Sequence, residues 1–137
     1  DLTRGFIEVI AQNAKTSKRR LVTITPNLKA FLAPHERLDG AVLPSQEIFR
    51  RRLEVARKAA GIEKWPHNGC RHSFATFHLA QGQNAAATAL QLGHATTRIL
   101  FQNYRELARP DEGEAYFAIT PYSEGPKKTI VFDRIAV

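Results

Sequence analysis

The sequence contains no methionine, a single cysteine and no long apolar segment, and each absence excludes a class of protein or site. Methionine is the residue with which translation normally starts, so we expect the chain to be part of a longer protein. Cys70 alone cannot form an internal disulfide and is too few for the usual cysteine-based zinc site, which favours a reducing compartment. No apolar run approaches the roughly 18 residues of a membrane span. The start of the chain also lacks the layout of a secretory signal, so we predict a cytoplasmic protein with no membrane partner.

Acidic residues are also few, and the excess of basic charge is unevenly placed. The 137 residues include 20 Lys and Arg and 13 Asp and Glu, which gives a formal net charge of +7. Residues 1–71 hold 14 of the basic and 7 of the acidic residues, whereas residues 72–137 hold 6 of each. A surface of this kind suits a polyanionic partner, because neutralising phosphates releases counterions. A solvated basic surface without a ligand is the alternative.

Local patterns predict a mainly helical α+β domain with a small antiparallel sheet packed on a helical bundle. Two alternating β-branched runs, Phe6 to Ile10 and Leu21 to Thr25, flank a polar turn and indicate a hairpin. Pro26 opens a short helix that ends near residue 33. Further helices are expected over residues 45–60, 70–81, 84–92, 97–107 and 111–119.

The longest predicted helix begins at the N-cap Ser45 and stops at Gly61. Its apolar residues share one face, which we expect to be buried: Phe49, Leu53, Ala56 and Ala60. Basic residues occupy the other faces: Arg50, Arg51, Arg57 and Lys58. We assign residues 1–120 to one domain. Residues 121–137 form a tail that packs either in cis or against another subunit.

The stretch "NGCRHSFAT" places Arg71 in the first turn of a predicted helix, where the helix dipole disfavours a cation. An anionic partner is therefore expected. His94 directly follows Gly93, the predicted end of the next helix, and Tyr104 comes ten residues later. Arg71, His94 and Tyr104 could converge on one phosphate, which guanidinium and backbone donors bind well. Tyr104 would then be the nucleophile.

Each of these candidates also has a purely structural explanation. Arg71 could pair with a carboxylate, and His94 could interact with free carbonyls at a helix end. Tyr104 has the helical spacing of a core aromatic. Lys15 and Lys18 could be solvated charges of the hairpin turn. The order and spacing of the residues, taken together, favour a shared site.

That order resembles the catalytic domain of the tyrosine recombinases, the phage-integrase family. The family pattern is a lysine in a hairpin turn, H-x-x-R, a histidine or tryptophan after L-G, and a tyrosine. Here "NAKTSKRRLVTIT" looks like the lysine hairpin, "NGCRHSFAT" like the arginine helix, "LGH" like the next motif and "NYREL" like the tyrosine segment. The resemblance extends to about Ile119 and implies site-specific DNA recombination and integration.

The resemblance implies catalytic roles for Lys15, Arg71, His94 and Tyr104, with Asn68 at the position of the family's histidine. It implies that the tyrosine attacks a backbone phosphate of double-stranded DNA, forming a 3′-phosphotyrosyl link and freeing a 5′-hydroxyl. No metal, small-molecule cofactor or nucleotide is needed, because the phosphotyrosyl link conserves the bond energy. It also implies self-association, typically as a tetramer on DNA.

Two departures from the family pattern bear on activity. Asn68 can donate a hydrogen bond but cannot shuttle a proton at neutral pH, and His67 lies one residue too early. The family's first arginine precedes the lysine hairpin, and Arg4 does not match its motif. We therefore expect the full-length protein to be the enzyme and this part alone to cleave little DNA.

Several basic side chains are further candidates for DNA contacts. They lie in the hairpin, on the longest helix and beside Arg71: Lys18, Arg19, Arg20, Arg50, Arg51 and His72. A degenerate recombinase-like module that binds DNA without cutting it is the main alternative function, and a basic RNA-binding or structural domain is a third. Zinc binding by Cys70 with nearby histidines lacks the usual ligand spacing, so no metal is predicted. Cys70 as a nucleophile has no supporting pattern beyond His72.

Overall fold

The computed structural model describes residues 1–13, 19–36, 45–104 and 107–122. Two strands, β1 (Phe6–Val9) and β2 (Arg20–Thr23), precede all the helices except a 3-10 turn at Ala11–Asn13. The helices are α1 (Pro26–Leu32), α2 (Gln46–Ala59), α3 (Gly69–Gly82), α4 (Ala85–Leu92), α5 (Arg98–Asn103) and α6 (Pro110–Phe117), with a second 3-10 turn at Ala33–His35. No helix in these ranges is long and apolar enough to cross a membrane. Lys15, Lys18 and the tail from residue 123 lie outside the described residues.

The predicted hairpin is confirmed. β1 and β2 pair antiparallel, with Phe6 opposite Thr23 and Val9 opposite Arg20. The small sheet rests on α4, because the backbone N–H of Thr23 donates a 2.9 Å hydrogen bond to the side-chain oxygen of Gln91. This contact brings β2 next to the end of α4.

The predicted cap at Ser45 and the predicted stop at Gly93 are confirmed, because they depend on short-range chemistry. Ser45 Oγ accepts a hydrogen bond from the backbone N–H of Ile48 at the start of α2. Asn84 Oδ1 accepts one from the N–H of Ala87 at the start of α4, at 2.9 Å. Gly93 ends α4 with a positive φ of 71°, which glycine adopts without steric cost.

The core lies where α3, α4 and α5 meet. Its buried apolar side chains are Ala75 from α3, Ala89 and Leu92 from α4, Leu100 from α5, and Tyr104. The last of the described helices, α6, packs closely along α3. Gly113 permits this approach, because a Cβ there would lie 2.8 Å from the carbonyl oxygen of Phe77. The prediction of a mainly helical fold with a small antiparallel sheet is confirmed.

The buried face predicted for α2 is wrong. α2 contains no buried residue, and Phe49 is 41% exposed while Ala56 and Ala60 are also exposed. Helical periodicity identifies an apolar face but cannot say whether another element covers it. Among the described residues, no element packs extensively against this face of α2.

The predicted end of α5 is also wrong, because the helix stops at Asn103 rather than near Leu107. Tyr104 leaves the helix with φ −130° and ψ −4°. Tyr104 is buried in the core, and Leu107 packs against it. Both side chains thus reach the same core although the helix ends before them.

Candidate functional site

The first turn of α3 is fixed by the residues just before it. Asn68 adopts the left-handed conformation, with φ 53° and ψ 24°, which asparagine tolerates better than most residues. The Trp65 indole lies against Gly69, where a Cβ would be 3.3 Å from the indole nitrogen. This close approach sets the direction in which α3 begins, and so where Arg71 and His72 lie.

Arg71 does not pair with a carboxylate in the described part of the chain. One of its terminal nitrogens donates a 2.9 Å hydrogen bond to the carbonyl oxygen of Leu92, the last residue of α4. The negative end of the α4 dipole thus offsets the cation at the start of α3. Arg71 is otherwise exposed, and a guanidinium has five N–H donors, of which the described residues engage only the one bonded to Leu92.

His94 is positioned by the turn that ends α4. The N–H of Gly93 donates to the oxygen of Leu90 at 3.1 Å, and the N–H of His94 donates to that of Ala89 at 2.9 Å. This pair of bonds is a Schellman motif. The backbone of His94 therefore caps the helix, and its imidazole is left for another role.

The imidazole of His94 is partly buried, and its Nδ1 atom is buried with no hydrogen-bond partner among the described residues. Burial lowers the pKa of His94, and the positive charge of Arg71 lowers it further. The ring is therefore neutral near pH 7 and offers one donor and one acceptor.

Arg20 reaches the same place from the sheet. Its guanidinium lies against Gly93, where a Cβ would be only 2.5 Å from one terminal nitrogen and 2.7 Å from the guanidinium carbon. The Arg20 Nε atom is buried without a partner in the described ranges. β2 thus brings a second guanidinium beside the loop that carries His94.

The ring of Tyr104 lies in the core, and its hydroxyl contacts the imidazole of His72. The residue is 5% exposed, and its Oη lies 2.5 Å from Nδ1 of His72. The two ring centroids are 5.5 Å apart. Tyr104 also lines a cleft of about 480 Å³ with Leu79 and Phe101.

Arg71 links the candidate residues electrostatically. Burial raises the pKa of Tyr104, and the charge of Arg71 opposes that rise. The same charge lowers the pKa of His94. Arg71 bonds to Leu92, two residues before His94, and its neighbour His72 contacts the Tyr104 hydroxyl. The structural explanation of Tyr104 holds as well, since its ring belongs to the core.

The remaining candidate residues have no described contact with Arg71, His94 or Tyr104. Asn68 and His67 are both exposed before α3, and Asn68 makes no side-chain hydrogen bond to the helix. Arg19 is exposed and forms a 2.5 Å ion pair with Glu8. Two further candidates are exposed on α2: Arg50 and Arg51. The catalytic role of Lys15 stays a prediction, because Lys15 lies outside the described residues.

The contact of His72 with Tyr104 was not predicted, since His72 was assigned to DNA. A signal existed in the spacing, because His72 shares a helical face with Ala75, Thr76 and Leu79, which are buried or half-buried. No cluster of possible metal ligands occurs in the described ranges, and the lone Cys70 is exposed. His78 is held by Thr88, whose hydroxyl lies 2.7 Å from its Nδ1.

Comparisons with known proteins do not assign the chain to a family. No protein-family model, curated protein or solved structure matches the chain.

Proposed function

We propose that this chain carries the strand-cleaving part of a DNA breaking and rejoining enzyme that acts like a tyrosine recombinase. Two contacts carry the proposal: Arg71 bonds to Leu92 beside the turn of His94, and the next residue, His72, contacts the Tyr104 hydroxyl. Tyr104 comes from the end of α5, Arg71 from the start of α3 and His94 from the turn after α4. The motif order of the sequence resembles that of the family, with Asn68 in place of its histidine.

In this reaction the Tyr104 oxygen attacks the phosphorus of a backbone phosphodiester. The bond from Tyr104 to phosphorus forms while the bond from phosphorus to the 5′-oxygen breaks, leaving the DNA 3′ end joined to the protein. Arg71 binds nonbridging oxygens, whose charge increases in the transition state. The neutral imidazole of His94 donates a hydrogen bond to the same phosphate from the one ring nitrogen that carries a hydrogen.

The other groups are assigned by chemistry and by resemblance. Arg20 supplies a second cation beside His94, where its guanidinium can take part in phosphate binding. Lys15, by resemblance, protonates the leaving 5′-oxygen. The reverse sequence of steps rejoins the strand, with no need for a metal or nucleotide.

The charge distribution supports DNA as the substrate. Basic residues dominate residues 1–71, and Arg50 and Arg51 are exposed on α2. Cations of this kind contact phosphates and position the protein without reading the base sequence. We therefore expect binding to duplex DNA that weakens steeply with added salt.

A suicide substrate tests the proposal. A duplex with a nick just 3′ of the cleavage site loses its short 5′-hydroxyl fragment, which traps the covalent intermediate. The full-length protein should form an adduct that survives denaturing electrophoresis, and mass spectrometry should find the DNA on the peptide that contains Tyr104. Tyr104→Phe should form none. An adduct that persists in Tyr104→Phe, or no adduct in the wild type, would overturn the proposal.

Two observations favour a second candidate, a DNA-binding module without cleavage activity. Asn68 stands where the family has a histidine, and Tyr104, which carries the proposed nucleophilic hydroxyl, is buried. For such a module, we expect salt-sensitive DNA binding that Tyr104→Phe leaves unchanged, with no covalent adduct on any nicked substrate. The same experiment therefore separates the two functions.

A further inference from the structure

The hydroxyl of Tyr104 has one hydrogen-bond partner among the described residues, and that partner is a base. Nδ1 of His72 lies 2.5 Å from the Tyr104 Oη. His72 follows Arg71 directly in α3, so one helical turn carries both a phosphate-binding group and this imidazole. When its proton is on Nε2, the His72 ring accepts a hydrogen bond at Nδ1 from the tyrosine hydroxyl.

A buried phenol needs such a partner if it is to react. Burial raises the pKa of Tyr104, so its hydroxyl is protonated at neutral pH. Attack on phosphorus must therefore release a proton, and the rate depends on a base within hydrogen-bond reach. Asn68 cannot accept a proton at neutral pH. His67 is exposed and makes no hydrogen bond within the described ranges.

We propose that His72 accepts the proton of Tyr104 as the phenol oxygen attacks the phosphorus. The proposal rests on the proposed function and assigns its general base. The proton moves from Oη to Nδ1, the bond from Oη to phosphorus forms and the bond from phosphorus to the 5′-oxygen breaks. A separate acid, Lys15 by resemblance, gives its proton to that oxygen. On rejoining, the 5′-hydroxyl attacks, the phenol oxygen leaves, and His72 returns the proton to it.

His72 lies one helical turn after Asn68, and the backbone N–H of His72 donates a 3.0 Å hydrogen bond to the Asn68 carbonyl. The base is therefore displaced by four residues from the histidine position of the H-x-x-R motif. It stays on the same helix, close to Arg71. This displacement accounts for an asparagine at position 68 without loss of the proton acceptor.

The test compares His72→Asn with the wild type in the full-length protein. An asparagine oxygen can accept the Tyr104 hydrogen bond near the position of Nδ1, but it cannot take up the proton. The rate of covalent adduct formation is measured under single-turnover conditions on the nicked suicide duplex. We expect His72→Asn to slow adduct formation about 100-fold or more, in keeping with the loss of a general base. His67→Asn is the matched control and should be close to the wild type.

A modified substrate shows whether His72 acts as the base for Tyr104 or as the acid for the leaving oxygen. A bridging phosphorothioate at the 5′ position leaves as a thiolate and no longer needs a proton. The defect of His72→Asn should persist on this substrate, whereas a defect in the leaving-group acid should disappear. Added imidazole should restore part of the rate in His72→Ala, because it can enter the vacated space and accept the proton.

Folding and binding are measured in parallel. Circular dichroism and the DNA affinity of His72→Asn in a Tyr104→Phe background should match those of Tyr104→Phe alone. A His72→Asn rate within about threefold of the wild type, or full rescue by the phosphorothioate, would overturn the role of His72 alone. A wild-type protein without a Tyr104-dependent adduct would overturn the proposed function itself.

Discussion

The guanidinium of Arg71 donates a 2.9 Å hydrogen bond to the main-chain oxygen of Leu92 and so ties the start of α3 to the end of α4. This bond orients the side chain towards the turn that carries His94. It also means that Arg71 contributes to stability as well as to the proposed chemistry. Variants must therefore be compared for both properties.

Replacing Arg71 by lysine should impair cleavage more than binding. Lysine keeps the charge but loses the planar fork that holds two phosphate oxygens. We expect adduct formation by Arg71→Lys to fall about 100-fold or more, with DNA affinity within about threefold. Loss of the bond to Leu92 should cost about 0.5–1.5 kcal/mol in unfolding free energy. Urea denaturation measures that cost.

Arg98→Lys is the control for Arg71→Lys, because Arg98 is exposed at the start of α5. It should leave the rate and the stability close to those of the wild type. Equal loss of rate in the two variants would contradict a specific role for the Arg71 fork.

Two neighbouring arginines of the hairpin should behave differently. Arg20 lies against Gly93 beside His94, whereas Arg19 is exposed and paired with Glu8. Arg20→Ala and Arg19→Ala each remove one charge, so each should change the salt dependence of DNA binding by a similar small amount. Only Arg20→Ala should slow adduct formation at saturating DNA. If both variants cleave at the same rate, Arg20 has no part in the site.

Substitution of Gly93 should slow cleavage more than substitution of Gly61. Both glycines have positive φ, 71° and 68°, so alanine is strained at either position by about 1–2 kcal/mol. A Cβ at Gly61 meets nothing within 4 Å, whereas one at Gly93 meets the Arg20 guanidinium at 2.5 Å. Gly93→Ala should therefore also displace Arg20 and slow adduct formation. Thermal unfolding and cleavage of both variants test this, and equal effects would contradict it.

Acid should weaken the fold through His78. Burial lowers the pKa of His78 below its ordinary value of 6.5, so the unfolded chain takes up a proton at a higher pH than the folded chain. The associated stability is present above about pH 6.5 and is lost as the pH falls from there towards the lower pKa of the folded state. The thermal midpoint should drop over this range, and drop less in His78→Gln. His35→Gln, at an exposed position, should follow the wild type.

The parts of the structure that the sequence predicts are those that depend on near neighbours. Asn84 and Gly93 mark the ends of α4 because a cap needs only a local side chain or a positive φ. Pro26 and the alternating residues of the hairpin act over similarly short distances. These features allow the order of helices and the position of His94 to be predicted.

Contacts between distant parts of the chain are not predictable in the same way. His72 and Tyr104 are 32 positions apart, and which of Arg71 and His72 faces the tyrosine depends on how α3 and α5 pack. The same limit applies to Phe49, whose apolar face has no described partner. It applies also to the end of α5, which helical spacing places near Leu107 and the structure at Asn103.

The phenol proposed to attack DNA sits among Ala75, Ala89, Leu92 and Leu100. Its ring fills space that a smaller side chain would leave vacant, and vacated volume of this kind destabilises a protein by about 3–5 kcal/mol. If Tyr104→Ala were inactive, the loss of the nucleophile could not be distinguished from unfolding of the protein. Phenylalanine, which removes a single oxygen, is the one exchange from which the two can be told apart.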